Sequence, residues 1–409
     1  MIPCAVAAPP TISHSPGAGD RNSALLAGFL GWTLDAFDFF LVVFCLTSIG
    51  HEFHKSDAAV ALSLTLTLAF RPVGAFLFGL LADRYGRRLP LMLDIVFYSV
   101  IEILSGLAPN FTTFLVLRAL FGIGMGGEWG VGASLAMEKV PPKLRGILSG
   151  VLQEGYAVGY LLAAISYFFL FDKFGWRPLF FLGGLPALLV LYVRFHVKES
   201  EVWRETKHDT WSGLGRALIS NWKLFLYLVF FMMAMNMVSH GTQDMYPTFL
   251  ERQWGLHSTG RAALTAFSMV GAILGGILFG YLSDRGGRRR AMIMALVGAI
   301  LVVPLWAFAP SLKLLVLGGF LMQFLVQGAW GVVPAHLAEL SPDSVRGFLP
   351  GFGYQCGVLL ASSIAYIEAT FARRVSYATA MAGTAAAVLV LAVILTAVGR
   401  ERRGQKFGR

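Results

Sequence analysis

Apolar runs of about 20 residues or more, separated by short polar segments, follow one another along the whole chain. A helix of about 20 apolar residues is long enough to cross the hydrocarbon core of a bilayer. The pattern therefore predicts an all-α membrane protein with twelve transmembrane helices. We place them near residues 24–48, 58–83, 90–108, 111–138, 145–170, 177–195, 221–249, 260–283, 290–309, 312–340, 345–371 and 377–399.

The composition agrees with a bilayer protein. Of 409 residues, 56% are hydrophobic and 14% are charged, which is too apolar for one water-soluble core. Lys and Arg are concentrated in the segments that lie on the same side of the membrane as the N terminus. The positive-inside rule therefore places both termini in the cytoplasm. The net charge of +10 then reflects basic loops on an anionic leaflet and requires no nucleic acid. We expect a multi-pass protein of the cell inner (plasma) membrane.

Five segments follow from this pattern. Residues 1–20 lack a charged stretch ahead of an apolar core, so we interpret them as a disordered tail and not as a signal peptide. The predicted segments are a cytoplasmic tail at 1–20, a six-helix bundle at 21–195, a cytoplasmic linker at 196–220, a second six-helix bundle at 221–399 and a basic cytoplasmic tail at 400–409. The cysteines Cys4, Cys45 and Cys356 form no close pair, and we expect neither a disulfide framework, a metal site nor a cofactor.

The two bundles are a repeat. A shift of 201 residues, from Gly79 to Gly280, places the motif G-x-x-x-D-R-x-G-R-R of 79–88 on the same motif at 280–289. The same shift places Glu138 and Arg145 on Glu339 and Arg346. One six-helix unit is therefore used twice, as in transporters that bind their substrate between two parallel repeats.

The charged residues inside the predicted helices are not repeated. Arg71 and Arg118 map onto Ala272 and Gly319. An ionisable group in the bilayer is costly, so each unshared one is a functional candidate. The acidic candidates of this kind are Asp35, Asp38, Glu102, Glu128, Glu154 and Asp244.

Arg71 is our candidate for binding an anionic substrate. It lies in the middle of the second predicted helix, where its fork of donors could hold a carboxylate bidentately. The alternative is a structural ion pair between Arg71 and Asp35 or Asp38. The two roles are compatible if the substrate displaces the aspartate.

Two places could carry a proton. Asp35 and Asp38 share a helix face at i and i+3, and two carboxylates in a low dielectric can take up and release one proton between them. His240 and Asp244, at i and i+4, are the second possibility, and the sequence does not rank the two. Glu154 is also included as a proton-coupling candidate, although a structural hydrogen-bonding role is common for such a residue.

A polar stripe stands out in the seventh predicted helix. It consists of Asn236, Ser239, His240, Gln243 and Asp244 at i, i+3, i+4, i+7 and i+8, which lie on one helix face. Such a stripe faces a water-filled cavity or a partner helix. One interpretation is a hydrogen-bonded contact between helices, and the other, which we favour, is a solute pathway.

The stripe resembles the motif of lactate and pyruvate proton symporters of the yeast lactate permease type, Asn-x-x-Ser/Thr-His-x-Ser/Thr-Gln-Asp-x-x-x-Thr, at every fixed position from Asn236 to Thr248. In the family that this resembles, an arginine of the second helix binds the carboxylate, which implies that role for Arg71. The resemblance implies substrate contacts for Asn236, Ser239, His240 and Gln243.

The repeated motif at 79–88 and 280–289 is similar to that of the major facilitator superfamily. The likeness implies a fold of two six-helix halves, with this loop acting as a gate. It implies gating roles for Asp83, Arg84, Arg88, Glu138, Arg145, Asp284, Arg285, Glu339 and Arg346. Sugar–proton symporters of this superfamily pair a helix 1 aspartate with a helix 4 arginine, and Asp35 or Asp38 with Arg118 is similar.

The sequence therefore predicts a proton-coupled symporter of a small monocarboxylate, such as L-lactate or pyruvate, that works as a monomer. The alternatives are a proton symporter of a larger organic acid, such as a sialic or aromatic acid, and a membrane sensor that binds a carboxylate. No hydrolase, zinc-protease or phosphate-loop motif is present, so we do not expect an enzyme. The sequence G-x-G-x-x-G at 122–127 has no strand before it, and we expect its glycines to allow close helix packing.

Overall fold

The computed structural model of the protein describes residues 18–138, 140–199, 219–342 and 349–405. The predicted gate residue Arg346, most of the predicted tail 1–20 and most of the predicted linker 196–220 lie outside these ranges. The side chains of Asp83 and Glu138 are likewise outside the description.

The first half consists of six helical segments. They are α1 (Ala18–Glu52), α2 (Asp57–Tyr85), α3 (Arg88–Gly106), α4 (Phe111–Glu138), α5 (Arg145–Phe174) and α6 (Arg177–His196). The second half consists of six more. They are α7 (Trp222–Arg252), α8 (Ser258–Gly286), α9 (Arg288–Ala307), α10 (Leu312–Leu340), α11 (Leu349–Ala361 and Ile364–Phe371) and α12 (Tyr377–Val398).

Within the described residues, ten of these segments are long and apolar enough to cross a membrane, the remaining two being α4 and α11. The predicted all-α architecture of twelve segments is confirmed. The sequence did not predict that α7 breaks near Asp244, where a new helical stretch begins at Tyr246. Pro247 lies at the start of that stretch, and proline cannot continue the hydrogen-bond ladder of the preceding helix.

The two halves pack in the same way. Helix α2 packs on α4 as α8 packs on α10, and α1 packs on α5 as α7 packs on α11. The halves meet through α5 against α8 and through α2 against α11. The 201-residue shift maps each of these two interfaces onto the other, so the bundle has a pseudo-two-fold axis between its halves.

Glycines allow the closest of these contacts. A side chain on Gly122 would collide with the backbone of α2 at Thr67, and one on Gly126 would collide with the carbonyl oxygen of Arg71. The expectation that the glycines at 122–127 serve helix packing is thereby confirmed. In the second half, side chains on Gly271 and Gly275 of α8 would likewise collide with backbone carbonyls of α10. The α2 to α4 contact fixes the backbone from which Arg71 extends.

Candidate functional site

Arg71 lies in the interior of the bundle, where its side chain is 1% exposed. Its Nε and Nη2 groups have no hydrogen-bond partner among the described residues. Its guanidinium carbon lies 5.7 Å from the ring centre of Trp32 on α1 and 5.5 Å from that of Tyr354 on α11. A buried cation in this state has lost its hydration without gaining equivalent hydrogen bonds, which makes it ready to bind an anion.

Aromatic rings surround this guanidinium from both halves. Trp129 stacks on Tyr354 with ring centres 4.4 Å apart, and Tyr156 stacks on Trp32 with ring centres 5.6 Å apart. Trp330 meets the edge of Tyr354 at 6.0 Å. The site therefore combines one charged group that binds anions with several apolar planar faces.

Two carboxylates lie within electrostatic reach of Arg71. They belong to Asp35 on α1 and Glu128 on α4, and both side chains are buried. Neither oxygen of Asp35 has a hydrogen-bond partner in the described part of the chain. The alternative of Arg71 held in a hydrogen-bonded pair with Asp35 or Asp38 is therefore not what this structure contains.

Arg118 pairs with Glu102 and not with either aspartate of α1. The Nη2 group of Arg118 lies 2.5 Å from Oε2 of Glu102, and it also donates to Ser105. The expectation of a direct pair between Arg118 and Asp35 or Asp38 needs this correction. Asp38 lies beside the pair, with Glu102, Asp35 and Arg118 all acting on it electrostatically.

The polar stripe of α7 is buried and faces two directions. His240 Nδ1 lies 3.1 Å from Oδ2 of Asp244, and the His240 ring meets Phe39 of α1 at 5.6 Å. Ser239 lies next to the hydroxyl of Tyr156 on α5. These contacts place part of the stripe against the first half, near the aromatic rings around Arg71.

The other members of the stripe bond within the second half. Gln243 Nε2 donates to Gln323 Oε1 on α10 over 2.7 Å, and Asn236 Nδ2 donates to the carbonyl of Met232 over 2.7 Å. Both interpretations of the stripe therefore have a counterpart in the structure. Gln243 makes a helix-to-helix hydrogen bond, whereas Ser239 and His240 face the interior between the halves.

Glu154 lies away from Arg71, at the contact between α5 and α8. A side chain on Gly276 would collide with its carboxyl group. Neither carboxyl oxygen has a hydrogen-bond partner among the described residues. The hydrogen-bonding role considered for Glu154 is thus not observed.

The predicted gate residues of the second half converge at the predicted cytoplasmic end. Arg288 Nε lies 3.0 Å from Glu339 Oε2, and Arg145 Nη1 lies 3.6 Å from Glu339 Oε1. Asp284 accepts hydrogen bonds from the backbone N–H groups of Gly146 and Ile147, at 3.1 and 3.0 Å. A carboxylate at the first turn of α5 is favoured by the unpaired N–H groups and the helix dipole.

The remaining gate candidates make local contacts. Arg285 lies over the ring of Tyr281 at 4.5 Å, and Arg84 over that of Tyr85 at 5.8 Å. Arg88 donates from its side chain to the carbonyl of Arg194. A segment at 401–405 completes the closed end, since Gly404 N–H donates to Glu339 over 3.1 Å and Arg145 donates to the Gln405 carbonyl over 3.0 Å.

The opposite end of the bundle is also bridged. Arg252 Nη2 lies 2.9 Å from Asp57 Oδ2, and Arg261 Nη2 donates to the hydroxyl of Tyr167 over 3.0 Å. Each contact joins one half to the other. With both ends bridged, the interior around Arg71 is occluded.

Sequence reasoning missed two buried acids. Glu368 on α11 accepts a hydrogen bond from Thr384 over 2.6 Å, and Asp94 on α3 has no partner for either oxygen in the described residues. Under the 201-residue shift they map onto Tyr167 and Ala295. The comparison of the halves that selected Asp35 and Asp38 would have selected these two as well. For Trp32 and Tyr354, the sequence contained no comparable indication.

Known structures have the same fold. The proton:xylose symporter XylE bound to 6-bromo-6-deoxy-D-glucose superposes with a TM-score of 0.79 at 17% identity, covering 96% of this chain and 98% of that one. The human organic anion transporter MFSD10 superposes with a TM-score of 0.74 at 15% identity, covering 92% of this chain and 99% of that one. The fold is therefore that of the major facilitator superfamily of transporters.

Sequence comparison gives the family. A model described as "Sugar (and other) transporter" matches residues 24–212 and 224–400. The sialic acid transporter NanX of Escherichia coli is 31% identical, covering 82% of this chain and 84% of that protein. A carboxylic acid transporter protein homolog of Saccharomyces cerevisiae is 29% identical, covering 92% and 67%. The cis,cis-muconate transport protein of Acinetobacter baylyi is 29% identical, covering 85% and 86%.

The chain is a multi-pass membrane transporter and not an enzyme. It belongs to the sugar (and other) transporter family.

Proposed function

We propose that this transporter carries a small monocarboxylate, such as L-lactate or pyruvate, together with a proton by alternating access. The observation that supports it most is the buried guanidinium of Arg71, which has two donor groups without a partner in the described residues. A carboxylate is the complementary ligand for such a fork. The similarity to a carboxylic acid transporter homolog points the same way.

The residues take three roles in this proposal. Arg71 binds the carboxylate, and the α7 stripe contacts the hydroxyl or keto oxygen through Asn236, Ser239, His240 and Gln243. The proton is carried by Asp35 and Asp38 or by Asp244 with His240. Arg118, which is paired with Glu102, acts electrostatically on Asp38.

The gate and the setting in the membrane complete the proposal. Asp284 and Glu339 hold the predicted cytoplasmic end closed, with Arg145 and Arg288 as their cationic partners. We place the transporter in the inner membrane with both termini in the cytoplasm, and we infer that a monomer is sufficient, because the site is built from the two halves of one chain. A monoanion moved with one proton carries no net charge, so a pH gradient alone can drive the cycle.

The test is uptake of radiolabelled L-lactate into proteoliposomes with an alkaline interior. We expect accumulation that collapses when a proton ionophore is added. Pyruvate at excess should compete for uptake. Folded protein that takes up no lactate, with or without the gradient, would rule out this substrate.

The aromatic rings around Arg71 favour a second candidate, a larger planar organic acid. Stacked faces such as those of Trp129 and Tyr354 bind conjugated carboxylates well. The related proteins named for muconate and sialic acid transport agree with an acid larger than lactate. Equilibrium binding of unlabelled muconate, benzoate and sialic acid to the purified protein separates the candidates. Tighter binding of a planar acid than of lactate would favour the second.

A further inference from the structure

The interface between α5 and α8 is built largely from backbone. A side chain on Gly150 would lie 2.7 Å from the carbonyl oxygen of Gly276, and one on Gly280 would lie 2.8 Å from that of Gly146. A side chain on Gly331 of α10 would also meet the Gly276 backbone, at 2.5 Å. The two halves therefore touch main chain to main chain here, which leaves no room for water around a polar group.

Glu154 projects into this interface. Its side chain is 2% exposed and its carboxyl group lies against Gly276. The elements packed around it carry several charged or titratable side chains, and in the described residues none of them forms a hydrogen bond or ion pair with Glu154. These side chains are Asp35, Asp38, Glu128, Arg261, Asp284, Arg285, His336 and Glu339.

A carboxylate without a cation or donor in such a place is costly, whereas a carboxylic acid is tolerated. When the halves separate on this side, water reaches Glu154 and the ionised form becomes stable. Protonation of Glu154 therefore favours the closed arrangement of the halves, and the closed arrangement favours the protonated form of Glu154.

We propose that Glu154 is a proton-binding site that controls closure of the α5–α8 interface: the interface closes when Glu154 holds a proton and opens when it releases it. The inference rests on the proposal that the chain works by alternating access. Glu154 takes its proton from, and returns it to, the side on which this interface opens, so this proton is not the transported one. Acid on that side would hold the interface closed.

The other interface between the halves provides a natural comparison. The 201-residue shift places Glu154 on Gln355, whose Nε2 group donates to the carbonyl of Gly126 over 3.3 Å. The amide is the neutral counterpart of the acid, and its hydrogen bond to α4 of the first half requires no proton uptake. Only one of the two interfaces is therefore expected to respond to pH, so pH should act on the transport cycle from one side of the membrane.

The test measures the distance between the halves without any substrate. Spin labels on cysteines replacing the exposed Lys143 and Arg290, in a background without the native cysteines, report the predicted cytoplasmic end by pulsed electron resonance in lipid nanodiscs. We expect the ratio of open to closed molecules to rise with pH, by up to about tenfold per unit, because one proton is involved. E154Q should remain closed at every pH.

Two further variants complete the design. D94N removes a buried, unpartnered carboxyl group away from the interface and should keep the parent's pH response. G276A places a methyl group against Glu154 and should be more open than the parent at low pH. A pH response in E154Q equal to that of the parent, or its loss in D94N, would overturn the proposal. Because no lactate is used, a wrong substrate assignment leaves this test unaffected.

Discussion

At the scale of single residues, the arginine of the second helix has the clearest chemical meaning. Arg71 is identifiable in the sequence because a charge in an apolar run is costly and because the other half has alanine at the matching position. The structure adds that the guanidinium lies between two aromatic rings with no carboxylate bonded to it. Those rings come from helices that are distant in sequence, so no local pattern could predict them.

Replacement of Arg71 tests this role. R71A should abolish pH-driven uptake, and R71K should reduce it by about ten- to a hundredfold, because an ammonium keeps the charge but loses the bidentate fork. The measurement is initial uptake of labelled lactate in proteoliposomes. Size-exclusion elution and thermal unfolding of each variant serve as controls for folding. Wild-type uptake by folded R71A would remove Arg71 from the site.

The acids illustrate where residue-level reasoning failed. An i, i+3 spacing places Asp35 and Asp38 on one helix face, yet Arg71 acts electrostatically on Asp35 whereas Arg118 acts on Asp38, and Glu102 acts on both. The sequence contains no information on which neighbour each carboxylate meets, since the neighbours belong to other helices. The pairing of Arg118 with Glu102 in place of an α1 aspartate has the same origin.

At the scale of helices, the number and order of segments could be predicted because each long apolar run has to span the bilayer. The break near Asp244 was not predicted, although Pro247 at the start of the next helical stretch is visible in the sequence. The role of the glycines at 122–127 was predictable from their spacing. Which backbone each glycine meets required the structure.

The α2 to α4 contact gives a prediction on stability. G126A places a methyl group against the carbonyl oxygen of Arg71, and overpacking of this kind costs about 1–3 kcal/mol. We expect a lower thermal unfolding temperature in detergent. G383A, on α12, is the matched control, because nothing lies within 4 Å of the added group. Equal unfolding temperatures for the two variants would show that this contact does not limit helix packing.

At the scale of the whole molecule, the ion pairs that bridge the halves differ at the two ends. Arg145 and Glu339 are 2% and 1% exposed, whereas Arg252 and Asp57 are 50% and 20% exposed. Loss of one partner of a buried pair leaves an uncompensated charge, but exposed pairs contribute little. The predicted cytoplasmic end should therefore be the more firmly closed of the two.

This difference can be measured. E339Q should destabilise the protein by about 3–5 kcal/mol, and D57N by less than about 1 kcal/mol. Thermal unfolding in the same detergent compares them directly, and only the D57N difference should shrink at high salt. A larger loss of stability in D57N would contradict the assignment of the main closure to Glu339.

The orientation in the membrane is a further prediction at this scale. In a background without cysteines, K313C at the start of α10 should react in intact cells with a thiol reagent that cannot cross membranes. R402C should react only after the cells are opened, because the positive-inside rule places the C-terminal segment in the cytoplasm. The reverse pattern would invert the topology and, with it, the side on which the α5–α8 interface opens.

The C-terminal segment also bears on how the protein is made. Gln405 accepts a hydrogen bond from Arg145 of the first half, and Gly404 donates one to Glu339 of the second. A ribosome delivers residues 401–405 after all twelve membrane segments, so a nascent chain lacks these bonds while its helices insert. A newly synthesised transporter would then form these hydrogen bonds, and complete the closure of this end, only after the whole bundle is in the bilayer.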